Sequence, residues 1–212
     1  MNHSTARINY DRMSRIYDLF AGTSERRFNN IGLQMLAAQA GENVLEIGFG
    51  TGHSLVALAQ AVGVSGKVTG IDISNGMLRE TQSLLKRSGL ANQIDLRLGD
   101  ASSLPFKAEG FDAVFTSFTL ELFDSSEIPI VLKECLRVLR PEGRLGVVAL
   151  SRTDRVVVKV YDWAHFRFPD FIDCRPIFVS KVIEEAGFRI KDTEDRFMWG
   201  LPVMIVIARK SQ

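Results

Sequence analysis

Short apolar runs and helical patterns alternate along most of this chain, and that alternation decides what it can fold into. VLEIG at 44–48 precedes a helical stretch at 53–62, and KVTGID at 67–72 precedes another at 75–88. IDLRLG at 94–99 and FDAVFTS at 111–117 come before a helix at 126–140, in which Val131, Cys135 and Val138 share a face. RLGVVAL at 144–150 comes before helical segments at about 154–167 and 178–186. Strands separated by helices form a parallel sheet whose crossovers cover both faces. The last two strand-like pieces, FRIKDTEDRF and PVMIVIARK, are joined only by WGLP. That link is too short for a crossover, so these two strands must pair antiparallel. The expected fold is α/β, a mostly parallel sheet with one reversed strand near its end.

Before the first strand the pattern is helical. Ile8, Met13, Ile16, Tyr17 and Phe20 form an approximate stripe over 7–20. AGTS breaks it, and Ser24 is placed to cap a second helix running to about Ala40. The 212 residues fit one domain: an N-terminal helical cap over 1–40, a core over 41–150, and a lid with a closing hairpin over 151–212. A formal net charge of +1 offers no electrostatic case for a nucleic-acid partner. Cys135 and Cys174 lie far apart and the three histidines show no ligand spacing, so neither a structural metal nor a disulfide framework is expected. The polar start MNHSTARINYDR is unlike a signal peptide, and VMIVIA at 203–208 is far shorter than a membrane span. A reduced, cytoplasmic protein is the simplest expectation, with room left for peripheral membrane contact through a surface helix.

The first strand runs into LEIGFGTGHS at 45–54, where Gly48, Gly50 and Gly52 occupy every second position. In open parallel sheets, ligands bind beyond the carboxyl ends of the strands. A glycine loop there lets backbone approach a ligand, and the following helix offers free N–H groups and a positive dipole end. The dinucleotide pattern G-x-G-x-x-G would need its third glycine at position 53, which is His53. A structural turn with no ligand is the plain alternative. Two further acids weigh against it. Asp72 ends the second strand, 20 residues after Gly52, where a carboxylate can accept from two ribose hydroxyls. Ser74 stands ready to cap the next helix, which leaves Asp72 free of that task. Asp100 ends the third strand, where it can accept from an adenine amino group or close a turn with Ser102.

These pieces, VLEIGFGTG, GIDIS, GDASSLPF, FDAVFTS and VLRPEGRL, resemble the class I S-adenosylmethionine-dependent methyltransferases over about residues 40–150. Within that superfamily the chain is most similar to the ubiquinone/menaquinone-biosynthesis methyltransferases, through YDRMSRIYD, LRPEGRL and DCRPIFVSKVIEEAGF. The resemblance implies a seven-stranded Rossmann-like sheet of order 3-2-1-4-5-7-6 with strand 7 antiparallel. It implies S-adenosyl-L-methionine as cofactor and S-adenosyl-L-homocysteine as product. Gly48, Gly50 and Gly52 would pack against the methionine part, with Glu46 anchoring the loop. Asp72 would hold the ribose, Ile73 and Met77 would flank the adenine, and Asp100 with the Ala101 backbone would read its edge. Ser117 would lie near the transferred methyl. The chain departs from the quinone methyltransferases after the fourth strand: they usually carry G-[LIV]-R-N, and here SFTLELFD stands at 117–124.

On the acceptor side the residues leave alternatives open. Tyr10 and Tyr17, seven residues apart, either meet the sulfonium cation with their rings or pack the first helix onto the domain. Tyr17 is thus both a cofactor-binding and a catalytic candidate. YDWAHFRFPDFIDCRPIF at 161–178 is rich in aromatic residues and suits a lid over a small lipophilic acceptor, a quinone precursor or an amino-phospholipid. His165 is its candidate general base, and Arg175 either orients the acceptor or pairs with Asp170 or Asp173. His53 is expected to contact the loop, and Cys135 to sit in the core. Two other classes compete: a non-catalytic or regulatory S-adenosylmethionine-binding protein, and a nicotinamide-dependent oxidoreductase.

Overall fold

The computed structural model describes residues 22–152 and 175–210. In chain order these are α1 (Gly22–Leu36), β1 (Asn43–Ile47), α2 (His53–Val62), β2 (Lys67–Asp72), α3 (Asn75–Arg87), β3 (Ile94–Leu98) and β4 (Phe111–Ser117). A short 3-10 turn (Leu120–Leu122) follows, then α4 (Ile128–Val138), β5 (Leu139–Leu150), α5 (Val179–Glu185), β6 (Phe188–Met198) and β7 (Leu201–Lys210). The strands form one seven-stranded sheet in the order β3-β2-β1-β4-β5-β7-β6. Strands β1 to β5 pair in parallel, and β7 lies antiparallel between β5 and β6. The fold expected from alternation, resemblance and the short WGLP link is therefore the fold observed.

The central strands are buried on both faces, and their period of two divides the core. Leu45, Val114 and Val147 turn to one face, where Val131, Leu132 and Cys135 of α4 and Ile183 of α5 cover them. Val44, Phe115 and Val148 turn to the other, against Phe28 and Leu36 of α1 and Leu55 and Leu58 of α2. Cys135 is fully buried, and burial pushes its thiol up to about 12, so it is an inert core residue.

Helix α1 lies close on the sheet because residue 32 is glycine. A Cβ there would stand 2.6 Å from Val148 Cγ2 and 3.1 Å from Phe115 Cε2. The helix begins at Gly22, two residues before the expected Ser24 cap, and ends at Leu36 rather than near Ala40. Its end is set by charge. Arg144 Nε donates to the Leu36 carbonyl at 3.0 Å, and the same guanidinium pairs with Glu42 at 2.6 Å. Ala37 then turns left-handed, with φ 50°.

The helix expected over 126–140 spans Ile128–Val138. Leu139 leaves it to pair with Phe111 of β4, and the ladder resumes at Arg144 opposite Ala113. Residues 140–143 bulge between those two registers. Expectations over 7–20 and 154–167 lie outside the described residues.

Candidate active site at the carboxyl ends of the strands

Strands β3, β2, β1 and β4 are neighbours and end on the same edge of the sheet. Residues following each strand therefore meet there. Asp100 and Ala101 come from β3, Asp72 and Ile73 from β2, Glu46 and the glycine loop from β1, and Ser117 from β4. The structure brings all of these together. Tyr17 and His165 lie outside the described residues.

The loop after β1 turns left-handed at each glycine, with φ 70° at Gly48, 50° at Gly50 and 83° at Gly52. The three differ in what surrounds them. A Cβ on Gly48 would overlap Thr119, and one on Gly52 would stand 2.6 Å from Thr81 Cγ2. A Cβ on Gly50 would meet nothing within 4 Å. Gly48 and Gly52 are thus glycines for close packing within the protein, and Gly50 turns an open face outward. Helix α2 begins directly after Gly52 with no side-chain cap, so its first N–H groups and dipole end stand at the loop.

Asp72 fastens the loop to the second strand. Its Oδ2 accepts from Gly50 N–H at 2.9 Å and its Oδ1 from Ser74 N–H at 2.8 Å. Burial pushes the carboxyl above the usual range, and these N–H donors pull against that. Ser74 caps α3 as expected, its Oγ accepting from the N–H groups of Gly76 and Met77. Asp100 closes the turn with Ser102, whose N–H donates to Oδ1 at 2.8 Å. Ile73 is 40% exposed beside Asp72, whereas Met77 is 5% exposed within the core cluster of α1 and α2.

Glu46 is buried at the base of the loop, and one carboxyl oxygen, Oε2, has no partner. Burial holds its pKa well above the usual carboxylate range, against a hydrogen bond from Ser54, with Asp72 adding to the rise. From Ser54 a polar chain runs on to Asn29 of α1 at 3.5 Å, whose Oδ1 accepts from Ser117 Oγ. Asn29 was not singled out from the sequence. It is a polar residue on the inner side of an amphipathic helix, one position after the buried Phe28, and that was the available signal.

His53, expected to contact the loop, follows its last glycine directly. It opens α2, and its Nε2 lies 2.6 Å from Arg26 Nη2 on α1. This also bears on the dinucleotide pattern, because position 53 carries a side chain directed to α1 instead of a glycine. Arg175 donates to Asp124 at 3.1 Å, while Asp170 and Asp173 lie outside the described residues. Among the described residues no group of His, Cys, Asp and Glu comes together that could hold a metal ion. No described helix is long and apolar enough to cross a membrane.

Comparison with known proteins points the same way. Residues 44–143 match the model of a methyltransferase domain. The chain is 33% identical over 163 residues to demethylmenaquinone methyltransferase of Lactobacillus johnsonii, a match covering 76% of this chain and 65% of the relative. It is 34% identical over 167 residues to the ubiquinone/menaquinone biosynthesis C-methyltransferase UbiE of Pseudomonas fluorescens SBW25, covering 78% and 63%. The chain thus spans just under two thirds of the length of these relatives. A crystal structure of a SAM-dependent methyltransferase from Methanosarcina mazei shares the fold at a TM-score of 0.70 and 22% identity, covering 84% of this chain and 96% of that one. With the sheet order, the loop and these matches together, the chain is similar to the class I S-adenosylmethionine-dependent methyltransferases, and residues 44–143 match their methyltransferase domain.

Proposed function

We propose that this protein transfers a methyl group from S-adenosyl-L-methionine to a small lipophilic acceptor of the quinone-precursor kind. The observation that carries the reading is the row of strand ends, with an open Gly50 and the half-buried Asp72 and Asp100 on neighbouring strands. The residues fit the cofactor. Gly50 leaves room for the methionine part, and the orphan Oε2 of Glu46 calls for a polar partner such as an amine or a bridging water. Each Asp72 oxygen keeps a lone pair beyond its backbone bond, enough for two ribose hydroxyls. Ile73 and Met77 supply apolar walls for the adenine, and Asp100 with the Ala101 backbone its polar edge.

When bound, the cofactor supplies an activated methyl on a sulfonium, so the protein's work is largely alignment and exclusion of water. Asp72 locks the loop through Gly50, and Asn29 fixes the Ser117 hydroxyl at the end of β4. Tyr17 and His165 remain candidates for the sulfonium contact and for proton removal. The quinone-precursor acceptor is favoured by the names of the relatives at 33% and 34% identity. An amino-phospholipid acceptor is the second reading, favoured by SFTLELFD standing where quinone methyltransferases usually carry G-[LIV]-R-N.

The test is incubation with methyl-labelled S-adenosylmethionine and a total host extract, followed by phase partition and chromatography. Label in the organic phase on a quinone-type product supports the reading, and label on a phospholipid supports the second one. Tight S-adenosylhomocysteine binding with no transfer would favour a regulatory protein. Asp72→Ala is expected to weaken S-adenosylhomocysteine binding by about 10–100-fold in calorimetry, the loss of charge-assisted hydrogen bonds at ~1.5–3 kcal/mol. Preference for NAD over S-adenosylhomocysteine would overturn the assignment of the loop.

A further inference from the structure

Beside Glu46, one other carboxyl is buried among the described residues, and the site above does not use it. Glu121 is 1% exposed on the 3-10 turn that follows β4. Its Oε1 accepts from Leu150 N–H, at the end of β5, at 3.0 Å. Its backbone carbonyl accepts from Arg175 N–H at 3.1 Å, where the chain returns to the sheet edge. Its Oε2 is sealed from solvent and has no hydrogen-bond partner.

The place matters. The ends of β1, β2 and β3 carry the groups assigned to the cofactor. The ends of β4 and β5, next in the sheet, are then the side from which an acceptor must approach. Glu121 joins those two strand ends, four residues after Ser117. The charged neighbour that acts on it is Glu25, in the first turn of α1, the helix whose Asn29 holds Ser117. Arg175 pairs with Asp124, and Arg152 lies over the Phe178 ring at 5.8 Å, so neither cation neutralises Oε2. A sealed carboxyl oxygen without a partner is costly, charged or neutral, and a polar hydrogen brought to it would offset that cost.

We propose that Glu121 is the acceptor-side general base: its Oε2 takes the proton that the acceptor's nucleophilic atom gives up on methylation. This rests on the methyltransferase reading. In the balanced step, the acceptor's electron pair forms the new bond to the methyl carbon. The carbon–sulfur bond breaks, leaving its pair on sulfur as the neutral thioether. The acceptor's proton passes to the carboxylate of Glu121, which gives it up to water entering as the product leaves. The substrate class follows: a nucleophile that carries an ionisable proton, a phenol ring or an amine, and not a thioether or tertiary amine. Burial pushes the carboxyl up to about 8, against the Leu150 N–H bond, which suits a base working near neutral pH.

The experiment uses the full chain and its Glu121→Gln variant. Gln keeps an oxygen for Leu150 N–H and so preserves any structural tie, but it cannot take a proton. Three quantities are measured: S-adenosylhomocysteine affinity, label transfer into the organic extract from pH 5.5 to 9, and the carboxyl carbon resonances of 13C-glutamate-labelled protein. The inference expects unchanged S-adenosylhomocysteine affinity and transfer lowered about 10²–10⁴-fold. It also expects loss of the wild-type rise in kcat/KM through about pH 8, and a resonance titrating there that the variant lacks. Equal rate and pH profile in the two proteins would overturn it and leave Glu121 a structural tie. A Glu121 resonance titrating in the ordinary carboxylate range would overturn it even if the variant failed to fold. No transfer by the wild-type protein at any pH overturns the methyltransferase reading itself, and the base with it.

Discussion

Gly50 and Gly52 share a left-handed backbone, φ 50° and 83°, but not a role. Any side chain at such φ costs about 1–2 kcal/mol. At Gly52 a methyl adds a clash, standing 2.6 Å from Thr81 Cγ2 beneath the first turn of α2. At Gly50 a methyl meets no protein atom within 4 Å. The two alanine variants are therefore expected to separate stability from binding. Gly52→Ala should lose roughly 2–4 kcal/mol in urea unfolding, strain and overpacking combined. Gly50→Ala should lose only about 1 kcal/mol of stability yet weaken S-adenosylhomocysteine more than tenfold, because its methyl occupies the face left to the ligand. Equal affinities for Gly50→Ala and wild type would show that the open side of Gly50 faces solvent and not the cofactor.

At the scale of elements, the seating of α1 is the contact most exposed to a small change. Its closest approach to the sheet is at Gly32, where a Cβ would lie 2.6 Å from Val148 Cγ2, a side chain in a fully packed core. Gly32→Ala removes a helix-interior glycine, worth up to ~1 kcal/mol, but forces α1 off the sheet at a cost of about 1–3 kcal/mol. The expected net result is a lower melting temperature, with Arg26 and Asn29 displaced together from His53 and Ser117, and so weaker S-adenosylhomocysteine binding in the same variant. A higher melting temperature would mean that α1 adjusts freely.

The same scale shows what was legible in the sequence. Helix α2 was read to the residue and β2 and β4 likewise, because apolar runs bounded by Gly, Asp and Ser leave few other readings. The end of α1 was not legible. It depends on Arg144, more than a hundred positions away in the chain, taking the carbonyls of Leu36 and Ala37. Leu139 was assigned to a helix for a similar reason: its pairing with Phe111 is a tertiary fact. In the site, the acids at strand ends were legible from spacing alone. Asn29 and Glu121 were missed because each matters through a neighbour distant in the chain. A glutamate between Leu120 and Leu122 in TLELF was nevertheless a signal, an acid inside an apolar run.

For the whole molecule, buried acids make stability depend on pH in a direction opposite to that of salt-bridged carboxylates. Glu46, Asp72 and Glu121 all have folded-state pKa values raised by burial, Glu121 to about 8. In the unfolded chain each would titrate in the ordinary range near 4. Between those limits the folded state holds more protons than the unfolded one, so stability falls as pH rises. The contribution is fully present below the unfolded pKa and is lost as pH climbs through the folded one. A single such group gives a slope of at most ~1.4 kcal/mol per pH unit. Urea midpoints of the wild-type protein are therefore expected to fall from pH 5.5 to 8. In Glu121→Gln the fall should be shallower, since Glu46 and Asp72 still titrate and position 121 does not. Parallel curves for the two proteins would mean that Glu121 binds its proton equally in both states, and would overturn the burial argument for its raised pKa.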